Sequence, residues 1–227
     1  MLFRSPFDSL RVGDVGDVAI NTFNAPANVR IIRDFVAGIL AAGAIPIGIG
    51  GDHTVTHPIL QAIAAVHGPV GVVHVDAHAD VNMAMFGEPI SHGSWVRRAV
   101  EEELLQPERL VQIGLRGTGY EASDFDWVRS IGGRVVVADD CWHRSLAPLM
   151  AEVRERMGDA PVYLTFDIDG LDPSVAPGTG TPEFAGLTAI QGYEIIRGCR
   201  GMRLVGADLV EVAPVYDTSG NTSLLGA

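Results

Sequence analysis

Six side chains carry the chemistry that this chain spells out. Asp76, His78 and Asp80 alternate in VVHVDAHAD, Asp167 and Asp169 alternate in YLTFDIDGLDP, and His53 closes IGIGGDH. Each group follows a hydrophobic, β-branched run of the kind that forms a buried strand. Side chains two residues apart on an extended backbone share a face. Asp76, His78 and Asp80 can therefore converge on one point, and so can Asp167 and Asp169. Four carboxylates in one place repel one another unless a cation lies among them. Four carboxylates with two imidazoles thus point to a site for two divalent metals. The oxygen-rich donor set suits Mn2+ better than a thiolate-type zinc site, and leaves Fe, Co, Ni and Zn open. Asp172, just before Pro173, reads as a turn residue rather than a ligand.

These groups must sit at the carboxyl ends of strands, where open α/β sheets keep their active sites. The runs VGDVAI, AIPIGIG, VGVVHVD, LVQIGL, RVVVA, VYLTFDID and RLVGADLVEV read as strands. Helical patterns fall at 29–42, 55–66, 95–105, 124–130, 146–157 and 189–199. Strands interleaved with helices predict a three-layer α-β-α sandwich around a mostly parallel central sheet. The irregular segment 82–91 joins a ligand group to His92, so Met83, Met85 and Phe86 are candidate walls of a pocket.

Composition narrows the class. At 227 residues, the chain reads as a single domain spanning 1–227. A formal net charge of -12 argues against nucleic acid and anionic membrane as partners. No apolar run reaches the roughly 18 to 20 residues that span a bilayer. The opening MLFRSPFDSLRVGD lacks the apolar stretch of a signal peptide. Cys141 and Cys199 read as two buried, reduced thiols, which makes the expected location cytoplasmic. His74 reads as a core residue or a partner behind the ligands, and His57 as such a partner or a surface residue. His67 and His143 read as packing or solvent-facing, and Glu101, Glu102 and Glu103 as a solvated helix face.

The runs IGIGGDHTVTHPIL, VVHVDAHADVN, SHGSWVRRAVEEELL, VQIGLRGTGYEASDFDW, PVYLTFDIDGLDPSVAPGTGTPEFAGLT and VGADLVEVAPVYDTSGNTSLLGA resemble the arginase-superfamily ureohydrolases, in the agmatinase and guanidinobutyrase branch. The resemblance implies two Mn2+ per subunit. His53, Asp76, Asp80 and Asp167 would hold one, and Asp76, His78, Asp167 and Asp169 the other, with Asp76 and Asp167 bridging. It implies a hydroxide shared by the metals that attacks a guanidinium carbon and releases urea and an amine. Glu211 would grip the guanidinium, Asp80 would carry a proton to the leaving nitrogen, and His92 would exchange protons with solvent. His92 and Met85 are further candidate substrate contacts. The family also implies a homo-oligomer, trimer or hexamer.

The residues leave the substrate's tail open between agmatine and 4-guanidinobutyrate, with arginine and 3-guanidinopropionate as further alternatives. No Arg or Lys in 82–91 plainly awaits a tail carboxylate, and Arg97, Arg98 and Arg116 are the candidates outside it. Compared with that family, the chain is expected to lack an N-terminal strand and to end at the opening of a final helix. It therefore reads as incomplete at both ends and less stable than its relatives. A truncated relative that binds metal without turnover is the competing expectation.

Overall fold

Continuous apolar strands are satisfied only in a sheet covered on both faces, and that is how this chain folds. The computed structural model describes residues 10–21, 23–117, 119, 121 and 123–227. Residues 1–9, which belong to the stretch judged free of a signal peptide, lie outside the described residues. So do Thr118, Tyr120 and Ala122 of the GLRGTGYEASDFDW run.

The strands are β1 (Ile47–Ile49), β2 (Val70–Val75), β3 (Leu105–Leu115), β4 (Arg134–Val137), β5 (Val162–Asp167) and β6 (Leu204–Val210). They form one parallel sheet in the order β1-β6-β5-β2-β3-β4. The helices are α1 (Ala25–Ala41), α2 (Thr56–His67), α3 (Trp95–Glu101), α4 (Asp124–Ser130), α5 (Ala147–Met157), α6 (Ala189–Gly198) and α7 (Asn221–Gly226). Asn24 starts α1 by accepting the Ala27 N–H, and Pro26 occupies its first turn. Thr188 and Gln191 form a reciprocal capping box at the start of α6.

Alternation along the strands sorts the core into two layers. Val72, Leu110, Tyr163 and Val205 pack with Leu60 and Ile63 of α2, Val96 of α3 and Ile32 of α1. Val73, Val75, Ile113 and Leu164 pack with Met150 and Val153 of α5 and Ile195 of α6. This is the expected three-layer α-β-α sandwich. The chain leaves β2 toward β3 and leaves β5 toward β6, in opposite directions. The reversal opens a crevice between the carboxyl ends of β2 and β5.

Four expectations need correction. Residues 15–20 are not a strand: Asp14 accepts the Gly16 N–H in a tight turn, and Gly16 takes a φ of +81°. The helix expected over 95–105 stops at Glu101, because Glu103 turns left-handed at φ +55° and Leu105 pairs with Val70. The strands carrying the acidic clusters end sooner than expected, at Val75 and Asp167. The strand at 44–50 is shortened to Ile47–Ile49, an edge strand whose Ile47 and Ile49 are exposed.

Leu60, fully buried between α2 and the sheet, sets a measure of this packing. Leu60→Ala is expected to cost about 2–5 kcal/mol, read as a lowered midpoint in urea unfolding with an unchanged slope.

Candidate metal centre

The site begins with a histidine whose orientation is fixed from behind. Tyr163, Thr165 and Asp167 alternate along one face of β5. The Asp208 carboxylate of β6 accepts hydrogen bonds from Thr165 Oγ1 (2.5 Å), Tyr163 Oη (2.6 Å) and Thr56 Oγ1 (2.7 Å). Because the Thr165 hydroxyl donates to Asp208, its oxygen accepts from His53 Nε2 at 2.8 Å. That leaves His53 Nδ1 to face the crevice, where it makes no hydrogen bond of its own. Three carboxylate oxygens surround it, from Asp76 (3.0 Å), Asp80 (3.1 Å) and Asp167 (3.2 Å). A lone pair ringed by anionic oxygens is stable only with a positive charge in their midst. An octahedral shell with bonds of about 2.1 Å has edges of about 3 Å, so these atoms fit one divalent cation.

Asp76 is held by a second fixed histidine. Gln112 Nε2 donates to the Ala79 carbonyl (2.8 Å) and to His74 Nδ1 (2.9 Å). A carbonyl only accepts, so the amide orientation follows, and His74 must donate through Nε2 to Asp76 Oδ2 at 2.7 Å. His74 has no lone pair left for a metal and orients Asp76 instead. Trp95 does the same for Asp80, donating Nε1–H to Asp80 Oδ2 at 2.8 Å.

A second cluster joins Asp76, His78 and Asp169. His78 Nδ1 lies 3.1 Å from Asp169 Oδ2 and 3.4 Å from Asp76 Oδ1. Asp76 thus turns one oxygen to each cluster. Strand alternation is not what gathers these groups. Asp76, His78 and Asp80 follow the end of β2, and Asp169 lies in a 3₁₀ turn, Ile168–Gly170. Turn hydrogen bonds aim them: His78 N–H to Asp76 Oδ1 (2.6 Å), Asp169 N–H to Asp167 Oδ1 (2.9 Å) and Ala77 N–H to Asp169 Oδ1 (3.0 Å). Gly170 suits this turn, since a Cβ would stand 3.0 Å from the Asp76 nitrogen and press on it.

Asp80 and Glu211 both occupy the left-handed region, at φ +54° and +64°. Strain of this kind clusters at functional sites. Glu211 follows β6, and its Oε1 accepts the His53 N–H at 2.8 Å, leaving Oε2 for another donor. His92, Met85, Asp80 and His78 line one cavity of about 320 Å3, together with Asn82, Phe125, Asp124 and Thr181. Met83 and Phe86, the other expected wall residues, are largely exposed. Asp172 does cap a turn, accepting from Ser174 and Gly186 N–H. His57 is buried rather than on the surface and pairs with Glu102 at 2.9 Å, so Glu102 is not merely solvated. The three arginines named as candidates for a tail carboxylate are engaged elsewhere. Arg97 donates to the Val81 carbonyl and stacks over Trp127, and Arg98 pairs with Glu101. Arg116 is surrounded by backbone carbonyls.

The electrostatics describe a site that wants a cation. Burial raises the Asp167 carboxyl, and Asp169 and Asp76 raise it further. Burial and Asp76 likewise raise Asp169. Burial would lower His78, yet Asp169 and Asp76 outweigh it and push the ring up to about 11. Burial also works against charging His53, and the Asp167, Asp76 and Asp80 carboxylates raise it all the same. In a metal-free site protons take the place a cation would occupy.

A parallel α/β sheet with acidic and imidazole groups gathered at its carboxyl edge defines a class of metal-dependent proteins. The Arginase family model matches residues 1–227. The chain belongs to the arginase family. It is 66% identical over 223 residues to a guanidinobutyrase of Pseudomonas aeruginosa, covering 98% of this chain and 70% of that one. It is 59% identical to a mitochondrial agmatinase of Gallus gallus, covering 98% of this chain and 66% of that one. The chain thus spans about two thirds of the length of these relatives. The solved proclavaminate amidino hydrolase from Streptomyces clavuligerus superposes with a TM-score of 0.93 at 38% identity, over 98% of this chain and 74% of that one.

Two outcomes follow from this geometry. Thr165→Val breaks the relay to Asp208 and is expected to weaken metal binding about 10- to 100-fold, measured by calorimetric titration of Mn2+. Metal must also displace protons from His53 and His78. Apparent affinity therefore rises with pH, and proton release appears as a dependence of the binding heat on buffer ionisation enthalpy. A pH-independent affinity would contradict the assignment.

Proposed function

We propose that the chain is a dimanganese ureohydrolase that cleaves a linear guanidino compound to urea and an amine. The observation that carries this is His53 Nδ1, buried within 3.0 to 3.2 Å of three carboxylate oxygens, with Glu211 fixed to the His53 backbone beside it. His53, Asp76, Asp80 and Asp167 would hold one cation, and Asp76, His78, Asp167 and Asp169 the other. When bound, a pair of divalent cations supplies the Lewis acidity that makes water a nucleophile at neutral pH.

The chain's own residues do the rest. Glu211 Oε2 accepts N–H bonds from the guanidinium, a charge-assisted contact that directs its central carbon toward the ligand cluster. Burial raises the Glu211 carboxyl, and a cationic substrate beside it favours the ionised form. Asp80, steadied by Trp95, is the candidate to carry a proton to the leaving nitrogen, and His92 on the cavity wall is the candidate exchanger with solvent. The depth of the ligands, all but His78 nearly fully buried, keeps bulk water from competing.

The relative from Pseudomonas aeruginosa supports 4-guanidinobutyrate as substrate. Agmatine is the second reading, favoured by Asp124, which puts a carboxylate rather than a cation on the cavity wall. Urea release from 4-guanidinobutyrate, agmatine, 3-guanidinopropionate and arginine by Mn2+-loaded protein decides between them. Release from none of the four, by a protein that binds two metals, would instead make it a metal-binding relative without turnover. Glu211→Gln keeps the acceptor for the His53 N–H and loses the charge. It should retain metal and lose about 2–5 kcal/mol of transition-state binding, about 30-fold or more in kcat/KM. Wild-type kinetics in that variant would remove the guanidinium assignment. Asp169→Ala should lose one equivalent of metal, by elemental analysis, together with activity.

A further inference from the structure

The two clusters are supported by different residues, and the support behind His78 and Asp169 centres on a guanidinium. Arg116 Nη2 donates to the carbonyls of Asp169 (2.8 Å), Leu171 (3.2 Å) and Glu183 (2.6 Å). Its Nη1 donates to Gly114 (3.0 Å) and Gly170 (3.3 Å), and its Nε to Phe184 (2.9 Å) and Glu183 (3.2 Å). One side chain thus ties the end of β3 to the turn that bears Asp169 and to the segment that bears Glu183. The Arg116 and Gly117 N–H groups also both donate to the Ala77 carbonyl, at 2.8 and 2.7 Å. Ala77 stands next to His78, and its own N–H donates to Asp169 Oδ1. Both chain segments that present the second cluster are therefore anchored at Arg116.

Glu183 completes this support. Its carbonyl is pinned by Arg116, and its Oε1 lies 3.8 Å from His78 Nε2. The opposite ring nitrogen, Nδ1, faces Asp169 and Asp76. At 3.8 Å this contact is not a hydrogen bond, and the carboxylate acts through its charge on the far side of the imidazole, where a water or a small turn of the side chain brings the ring N–H within its reach. Thr165 and Asp208 play that part for His53. They lie on β5 and β6, whereas Arg116 and Glu183 lie on the loops that follow β3 and the Asp169 turn.

We propose that Arg116 and Glu183 are positioning residues for the cation held by His78 and Asp169, and that the cation at His53 does not depend on them. This rests on the two-cation reading above. Lysine cannot replace Arg116, because a point charge does not span carbonyls from three segments. Glu183 is only partly buried, so Glu183→Gln leaves packing intact.

The test is calorimetric titration of the whole chain with Mn2+, with electron paramagnetic resonance to separate an isolated ion from a coupled pair. The wild-type chain should bind two equivalents. Glu183→Gln and Arg116→Lys should each weaken one of the two binding steps about 10- to 100-fold and leave the other within about twofold. At substoichiometric metal the variants should show isolated-ion spectra. Adding Thr165→Val to Glu183→Gln should then weaken the remaining step as well. Equal weakening of both steps, or no change in Glu183→Gln, overturns the proposal, and Glu183→Gln alone decides should Arg116→Lys fail to fold. Fewer than two equivalents in the wild-type chain overturns the two-cation reading itself.

Discussion

Everything at the carboxyl edge of this sheet answers to one constraint: four carboxylates are buried within reach of one another. Desolvation penalises each charge, and every neighbour adds repulsion. The raised Asp167 and Asp169 carboxyls record that cost, and the raised imidazoles of His53 and His78 record the answer available without metal. A metal-free site of this kind is a proton store. A divalent pair relieves the same repulsion more completely, which couples metal binding to pH and to the stability of the folded chain.

The fold makes the constraint bearable by distributing supports. Behind His53 stands Asp208, a buried charge on β6 whose two oxygens take three hydroxyl donors. Behind Asp76 stand His74 and Gln112, and behind Asp80 stands Trp95. The rings of His53, His74 and Trp95 meet with centroids 4.9 to 5.0 Å apart, so His53 and the two rings that hold Asp76 and Asp80 cannot swing without moving one another. Each hydrogen bond fixes a tautomer or a carboxylate rotamer before any ligand arrives. That preorganisation lowers the cost of binding a cation whose shell tolerates little distortion.

The acidic clusters were legible because acids and imidazoles at the ends of β-branched runs have few other reasons to be there. The sheet was legible from the same runs. The mechanism of convergence was not. Alternation suggested that strands aim the ligands, whereas 3₁₀ turns and side-chain-to-backbone bonds do so once the strands have ended at Val75 and Asp167. His74 was read as a core residue or a partner behind the ligands, but the other supports were harder to see, because they come from other strands and from α3. Asp208 in LVGADLV and Gln112 in LVQIGL did carry a cue, a charge and an amide inside buried strands. Their partners, Thr165 and His74, become neighbours only through the register that pairs β5 with β6 and β2 with β3. Arg116 shows the opposite case: named with Arg97 and Arg98 as a candidate for a tail carboxylate, it makes seven contacts to carbonyls that leave its fork no room for one. The segment at 15–20 misled because a pattern of apolar residues says nothing of Gly16, whose left-handed turn breaks the extension.

Chemistry and selectivity are built on different parts of the chain. The candidate ligands and Glu211 follow strand ends whose backbone is locked by the sheet, while Asn82, Met85, His92, Asp124 and Phe125, outside the sheet, supply much of the rest of the cavity wall. Substitutions at Met85, Phe125 or Asp124 can reshape the space for a substrate's tail without disturbing a ligand. The reverse does not hold. Asp80 lies on the cavity wall, accepts from Trp95 and stands 3.1 Å from His53 Nδ1, all from a left-handed backbone. His78 lines the same cavity, so Asp80 and His78 are the two candidate ligands through which a change in the cavity can reach the acidic clusters.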